Sequence, residues 1–145
     1  MKVSTKGRYA LRMMLDLAER KDSGFISLKE IAERQNISKQ YLEQIVSLLN
    51  TSKLLRTNRG KQGGYMLIKE PSSYSVGQIL RITEGSLAPV ACLEHDTNLC
   101  ERADSCITLP LWNGLNNVIS EYLDGISLQD ILDQHHDRMA NNYSI

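Results

Sequence analysis

Cysteine is scarce in this chain. Three thiols occur in 145 residues, and all of them fall inside Cys92-x7-Cys100-x5-Cys106. An odd cysteine count argues against a disulfide framework. Long apolar stretches are missing too: no run of about 18 apolar residues exists to cross a bilayer, so no membrane partner is expected. The segment Met1-Lys2-Val3-Ser4-Thr5-Lys6-Gly7 has no apolar core of a signal peptide, and a cytoplasmic location is expected. There is no internal repeat and no low-complexity tract. A nucleophile–base motif, a Gly-rich nucleotide loop and HExxH are all absent, which argues against an enzyme. Net charge is absent as well, at 17 Lys/Arg against 17 Asp/Glu.

That neutrality conceals a division. Residues 1–70 carry 14 Lys/Arg against 7 Asp/Glu, and residues 71–145 carry 3 against 10. A basic half attracts phosphate backbones and an acidic half repels them. With 41% apolar residues the chain has enough material for a core. Its length suits one medium domain, or a small domain with an oligomerisation arm.

Thr5 to Arg20 reads as a helix, with Tyr9, Leu11, Met13, Met14, Leu15, Leu17 and Ala18 as its apolar stripe and Arg12, Asp16 and Glu19 on its surface. Ser27-x-x-Glu30 is a capping box opening a helix that runs to about Gln35. Asn36-Ile37-Ser38 breaks it, and a third helix runs from Lys39 to about Thr51. The period then changes. Leu54–Asn58 and Tyr65–Lys69 read as two strands, joined through Arg59-Gly60-Lys61-Gln62-Gly63-Gly64, whose glycines would supply positive-φ positions. Ser75-x-x-Gln78 caps a short helix that Gly85 stops. Residues 86–108 show no periodicity, and so long a loop usually has a function. A long helix follows from about Leu109 to Leu123, with Leu111, Trp112, Leu115, Val118, Ile119 and Tyr122 as one apolar seam. Ser127-x-x-Asp130 caps a last helix, and a frayed tail is expected from Asp137.

Helix, three-residue turn, helix and basic Gly-rich hairpin is the order of a winged helix-turn-helix. The fold expected is mainly α with a small β-hairpin wing. Residues 1–70 form the DNA-binding region, 71–85 a connecting helix, 86–108 the cysteine loop, and 109–145 the dimerisation helix and tail. Double-stranded DNA is the expected partner. Ser38, Lys39, Gln40, Tyr41, Glu43 and Gln44 lie where a recognition helix meets base edges. Arg59 and Lys61 occupy the wing tip, where they would enter the minor groove or neutralise phosphate. Lys2, Thr5, Lys6 and Arg8 would hold the backbone. The seam on the long helix is too apolar to stand exposed, so a homodimer is expected.

The cysteines point to a shared task. Spacings of seven and five fit neither the close cysteine pairs of structural zinc nor the cysteine run of bacterial ferredoxins. Glu94, Asp96, Glu101 and Asp104 outnumber Arg102 in this stretch. An acidic setting disfavours a bare thiolate, whereas a bound metal supplies the missing positive charge. Ligation through Cys92, Cys100 and Cys106 is therefore favoured over a bare redox switch, with three unrelated free thiols as the alternative. The fourth ligand is open among His95, Glu94, Asp96 and Glu43. His135 and His136 read as surface residues.

Ser4-Thr5-Lys6-Gly7-Arg8-Tyr9-Ala10, Tyr41-Leu42-Glu43-Gln44, Arg59-Gly60 with Gly63-Gly64-Tyr65, and Cys106-x5-Trp112 together resemble the bacterial regulator family that includes IscR, NsrR and CymR. The resemblance spans about residues 1–132. It implies a homodimeric winged-helix repressor or activator, with the cysteine loop near the partner's DNA-binding region. Three cysteines resemble the cluster-binding branch, which implies an iron–sulfur cluster, most simply 2Fe-2S, and a role in regulating iron–sulfur cluster biogenesis. Nitric-oxide or redox sensing, a CymR-like repressor controlled by a protein partner, and a metalloenzyme or cluster carrier are the alternatives. The chain departs from the family in three places. The gap between Cys92 and Cys100 is longer than in the IscR pattern. Leu109 stands where that pattern has a histidine, and Arg8 where the NsrR pattern supplies an acidic ligand.

Overall fold

The computed structural model describes residues 2–143. In chain order it holds α1 (Thr5–Glu19), α2 (Leu28–Gln35), α3 (Lys39–Thr51), β1 (Leu55–Asn58), β2 (Gly64–Leu67), α4 (Val76–Glu84), α5 (Leu109–Asp124) and α6 (Leu128–Tyr143). Serine starts most of the helices, because its side chain satisfies a backbone N–H that the first turn leaves unpaired. The Oγ atoms of Ser4, Ser27, Ser38, Ser75 and Ser127 accept from Gly7, Glu30, Tyr41, Gln78 and Asp130 N–H at 3.0–3.2 Å. At Ser27 the box closes reciprocally, with Glu30 accepting from the Ser27 N–H.

The core gathers the inner faces of α1, α2 and α3. Met13, Met14, Leu17, Ile31, Leu42, Ile45 and Leu49 are all essentially sealed from water. Asn36 takes the left-handed conformation (φ 53°, ψ 49°) that ends α2, which lets Ile37 turn into the core before Ser38 opens α3. Leu128 and Leu132 of α6 return to the same core, so the end of the chain packs against its beginning. α6 continues to Tyr143, well past the Asp137 at which the sequence suggests fraying. Residues 144 and 145 of that tail lie outside the described residues.

β1 and β2 pair antiparallel, with Leu55 opposite Leu67 and Asn58 opposite Gly64. Ile26 adds a third edge, exchanging two backbone hydrogen bonds with Tyr65 at 2.8 and 2.9 Å. This changes the reading of the wing glycines. Only Gly60 uses a positive φ (113°). Gly64 is required because a Cβ there would collide with the backbone of Ile26 and Ser27. Tyr74 anchors the base of the wing. Its buried hydroxyl accepts from the N–H groups of Ile68 and Lys69 and donates to the carbonyl of Leu54 at 2.8 Å.

The long helix α5 has two apolar faces, where the sequence suggests one seam. Ile119 and Leu123 pack inward on Val76, Leu80 and Leu87. Leu111, Leu115, Val118 and Tyr122 face outward and are 40–66% exposed. The ion pair between Arg81 and Asp124 (2.5 Å) ties α4 to the end of α5. Among the described residues no helix is long and apolar enough to cross a membrane.

Candidate nucleic-acid interface and cysteine loop

The N-cap at Ser38 sets the start of α3 and leaves one face bare. Ser38, Lys39, Gln40, Glu43 and Gln44 are all exposed. Tyr41 is different. It is half-buried, with its ring edge-on to Tyr9 at 5.5 Å, so part of its role is to seat α3 against α1. Arg59 and Lys61 are exposed at the tip of the wing. Lys39 and Arg59 line a groove of about 360 Å³ between the start of α2, α3 and the wing. Lys29 lines it too, and no carboxylate does. Among the described residues none of these three cations has an ion-pair partner. Local sequence carries no signal for Lys29, because the bridge between Ile26 and Tyr65, distant along the chain, brings the start of α2 to the wing.

At the N-terminus Lys2, Thr5 and Arg8 are exposed and Lys6 is half-exposed. Arg8 donates to the Thr5 hydroxyl at 3.0 Å. Ser4 donates through its N–H (3.0 Å) and its hydroxyl (2.5 Å) to Glu84, so the start of α1 is fixed to the end of α4.

Asp16 also bears on this site. The sequence places it on the outer surface of α1, yet it is only 2% exposed. Arg34 grips it with two hydrogen bonds of 2.8 and 3.0 Å, and Gln35 adds a third at 2.9 Å. Burial alone would raise this carboxyl's pKa. The hydrogen bonds from Arg34 and Gln35, with the charges of Arg34 and Arg20, outweigh burial and hold it below the usual carboxylate range. Nearby, Arg12 donates to the Gln35 side-chain and main-chain carbonyls. Both contacts fix the end of α2, and so the turn that aims α3.

Residues 86–108 form turns between α4 and α5, with one 3-10 turn at Ala91–Leu93. Cys92, Cys100 and Cys106 are free thiols; Cys100 is exposed and the other two are half-buried. Cys92, His95 and Cys100 line one shallow pocket of about 310 Å³, to which Glu94, Asp96 and Glu43 do not contribute. Cys106 stands outside it, before α5, with its sulfur 3.4 Å from the Thr108 hydroxyl. Hydrogen bonds from Thr108 hold this thiol below the usual thiol range. Among the described residues no three His, Cys, Asp or Glu side chains converge as a metal-binding group would. The donor chemistry nonetheless fits a soft metal centre: three thiols, with an imidazole beside two of them. His135 and His136 are exposed on α6, and neither lines the pocket of Cys92 and Cys100.

Comparison with known proteins agrees with this architecture. Residues 3–134 match the Rrf2 family model, described as an iron-dependent transcriptional regulator. The HTH-type transcriptional regulator CymR of Bacillus subtilis is 41% identical over 90% of this chain and 89% of its own length. The HTH-type transcriptional regulator IscR of Aliivibrio salmonicida is 39% identical over 91% of this chain and 77% of its own. The solved structure of the B. subtilis global cysteine regulator CymR superposes with a TM-score of 0.76 at 38% identity, covering 92% of this chain and 98% of that one. With its winged helix-turn-helix, the exposed polar face of α3 and this extent of likeness, the chain belongs to the Rrf2 family of transcriptional regulators.

Proposed function

We propose that this regulator works in the cytoplasm as a homodimer on duplex DNA and senses through an iron–sulfur cluster, most simply 2Fe-2S, held by Cys92, Cys100 and Cys106. The observation that carries the proposal is the confinement of every thiol to one surface loop, with Cys92 and Cys100 sharing a pocket with His95. When bound, such a cluster supplies a centre whose redox state and occupancy respond to the cell. The residues of the loop then have definable tasks. Three thiolates provide the negative ligand set, His95 is the best-placed fourth donor, and the turns of 86–108 must tighten to bring Cys106 to the others. The proposed signal is iron–sulfur supply, as in an IscR-like regulator, with nitric oxide or redox state second.

Iron and sulfide analysis with absorption spectra after anaerobic purification tests this. Wild-type protein is expected to be coloured. The triple replacement Cys92→Ala, Cys100→Ala, Cys106→Ala is expected to lose bound iron and visible absorption, to keep its fold, and to change affinity for at least one operator. Colourless wild-type protein that takes up no iron or sulfide on anaerobic reconstitution would reject the cluster. The unconverged thiols and the 41% identity to CymR favour a second reading, in which the thiols are unliganded and a protein partner controls the repressor.

The DNA surface has its own test. Each cation that neutralises a phosphate releases counterions, so affinity should fall steeply with salt. Arg59→Ala is expected to weaken binding on all sequences and to lower the salt slope by about one. Gln40→Ala is expected to relax base preference, at roughly 1–3 kcal/mol for a lost base contact. Affinity that is flat with salt, measured on the best duplex from a random pool, would reject the interface.

A further inference from the structure

We infer that a third site, a pocket between α1 and α6, binds a small amphipathic carboxylate. The pocket is about 600 Å³, within the range of small-molecule sites. Leu15, Ile131 and Leu132 give it an apolar wall, and Arg12 and Arg138 bring two guanidinium groups to it. Arg20, Arg34 and Arg81 are each paired with a carboxylate. Arg12 has only neutral partners: the two Gln35 carbonyls and the Tyr9 ring, 5.1 Å from its guanidinium. Among the described residues Arg138 has no hydrogen bond or ion pair. The two acids that reach the pocket are already engaged. Asp16 is taken by Arg34 and Gln35, and Glu19 lies 3.5 Å from Arg20.

The open guanidinium of Arg138 and the charge of Arg12, whose hydrogen bonds go only to neutral carbonyls, stand beside an apolar wall and match an anion with an apolar body. A carboxylate accepts two parallel hydrogen bonds from such a fork. Inorganic phosphate would use the forks and waste the wall, and a neutral amide would do the reverse. The pocket contains no residue of α3, of the cysteine loop or of the outward face of α5, so it is separate from the sites above.

Its position also supplies an output. Arg12 holds the main-chain carbonyl of Gln35, the last residue of α2, and Asn36 to Ser38 lead from there into α3. A carboxylate drawing on Arg12 competes with that carbonyl and loosens the turn. Occupancy is then expected to shift DNA affinity by roughly 5-fold or more. This output rests on the DNA-binding reading; the binding site does not.

The test is a methyl-detected NMR titration of the full chain with octanoate, octanamide and inorganic phosphate. Octanoate is expected to shift the methyl signals of Leu15, Ile131 and Leu132 and to saturate below about 1 mM. Octanamide and phosphate should bind at least about 10-fold more weakly, the factor worth about 1.4 kcal/mol. Arg138→Gln, at an exposed position with no partner to lose, should weaken octanoate several-fold while leaving the spectrum folded, and Arg12→Gln should do the same. Absence of saturation, equal binding of octanoate and octanamide, or shifts confined to Leu111, Leu115 and Val118 would overturn the site. Saturable octanoate binding that leaves DNA affinity unchanged would uphold the site and overturn its output.

Discussion

Replacing Leu115 and Val118 together with aspartate is expected to convert a dimer into a folded monomer and to cost about 100-fold or more in affinity for a palindromic operator. Leu111, Leu115, Val118 and Tyr122 recur at intervals of four, three and four, which puts them on one stripe of α5. They are 62%, 40%, 62% and 66% exposed, and among the described residues no element of the same chain covers them. A two-fold partner would cover the stripe with its own copy and set two recognition helices about 34 Å apart, one turn of duplex. Losing the second half-site removes the effective concentration that links two weak contacts, commonly worth 10²–10⁴-fold. Aspartates here touch only the outward face, so the monomer should stay folded. Ile119→Asp provides the contrast. Ile119 packs on Val76, Leu80 and Leu87, and a charge there should damage the fold itself. Sedimentation at micromolar concentration decides the matter. A wild-type monomer, or a double variant that still sediments as a dimer, would remove the α5 interface.

What could be read from the sequence divides along contact distance. Helix starts were legible because a serine cap and the N–H it accepts from lie three residues apart, as at Ser27 and Glu30 or Ser75 and Gln78. The helix-turn-helix and the wing followed from the change of period and from the Gly-rich link. The three thiols were visible as a cluster in sequence. Contacts between distant residues were not legible. Nothing local marks Asp16 as the partner of Arg34, 18 residues on, or Ser4 as the partner of Glu84, 80 residues on. Gly64 looked like a turn glycine, because its close neighbour Ile26 lies on another segment. The α5 stripe looked like one seam because helical periodicity shows that residues are apolar without showing which neighbour each one meets. The same limit explains the pocket of Arg12 and Arg138, which exists only because α6 folds back onto α1.

These distant contacts carry the order that the proposed recognition helix needs. α3 presents its polar face only if its inner face is seated and its leading turn is held. Leu42, Ile45 and Leu49 provide the seat, and Tyr41 adds a ring contact to Tyr9. The turn is held from α1, through Asp16 to Arg34 and Gln35 and through Arg12 to Gln35. Helix α1 is fixed in turn to α4 through Ser4 and Glu84, and α4 to α5 through Arg81 and Asp124. A physical route of packed helices and charged hydrogen bonds therefore joins the cysteine loop, which leaves α4 and enters α5, to α3, the helix proposed to face DNA.

Asp16 is the link in this route whose loss should be felt most in stability. Its Oδ1 accepts from one Arg34 nitrogen, and its Oδ2 accepts from another and from the Gln35 amide. An asparagine in the same place must turn its own N–H₂ toward an Arg34 donor in either orientation. Asp16→Asn therefore loses charge and sets donor against donor. Hydrogen bonds to charged groups contribute about 1.5–3 kcal/mol each. Arg34 is 31% exposed and regains water when released, which offsets part of the loss. A net destabilisation of about 2–3 kcal/mol at neutral pH is expected, read as a lower urea midpoint. The pH dependence gives a second, independent check. The folded-state pKa of Asp16 lies below its ordinary value of 3.8. Its contribution is therefore complete above the unfolded pKa and is lost as pH falls through the depressed folded value. The stability gap between wild type and Asp16→Asn should hold steady from neutral pH down to about pH 5 and narrow below about pH 4. Equal midpoints at pH 7, or a gap that persists unchanged at pH 3, would show that the Asp16–Arg34 pair does not bind α1 to the helix-turn-helix.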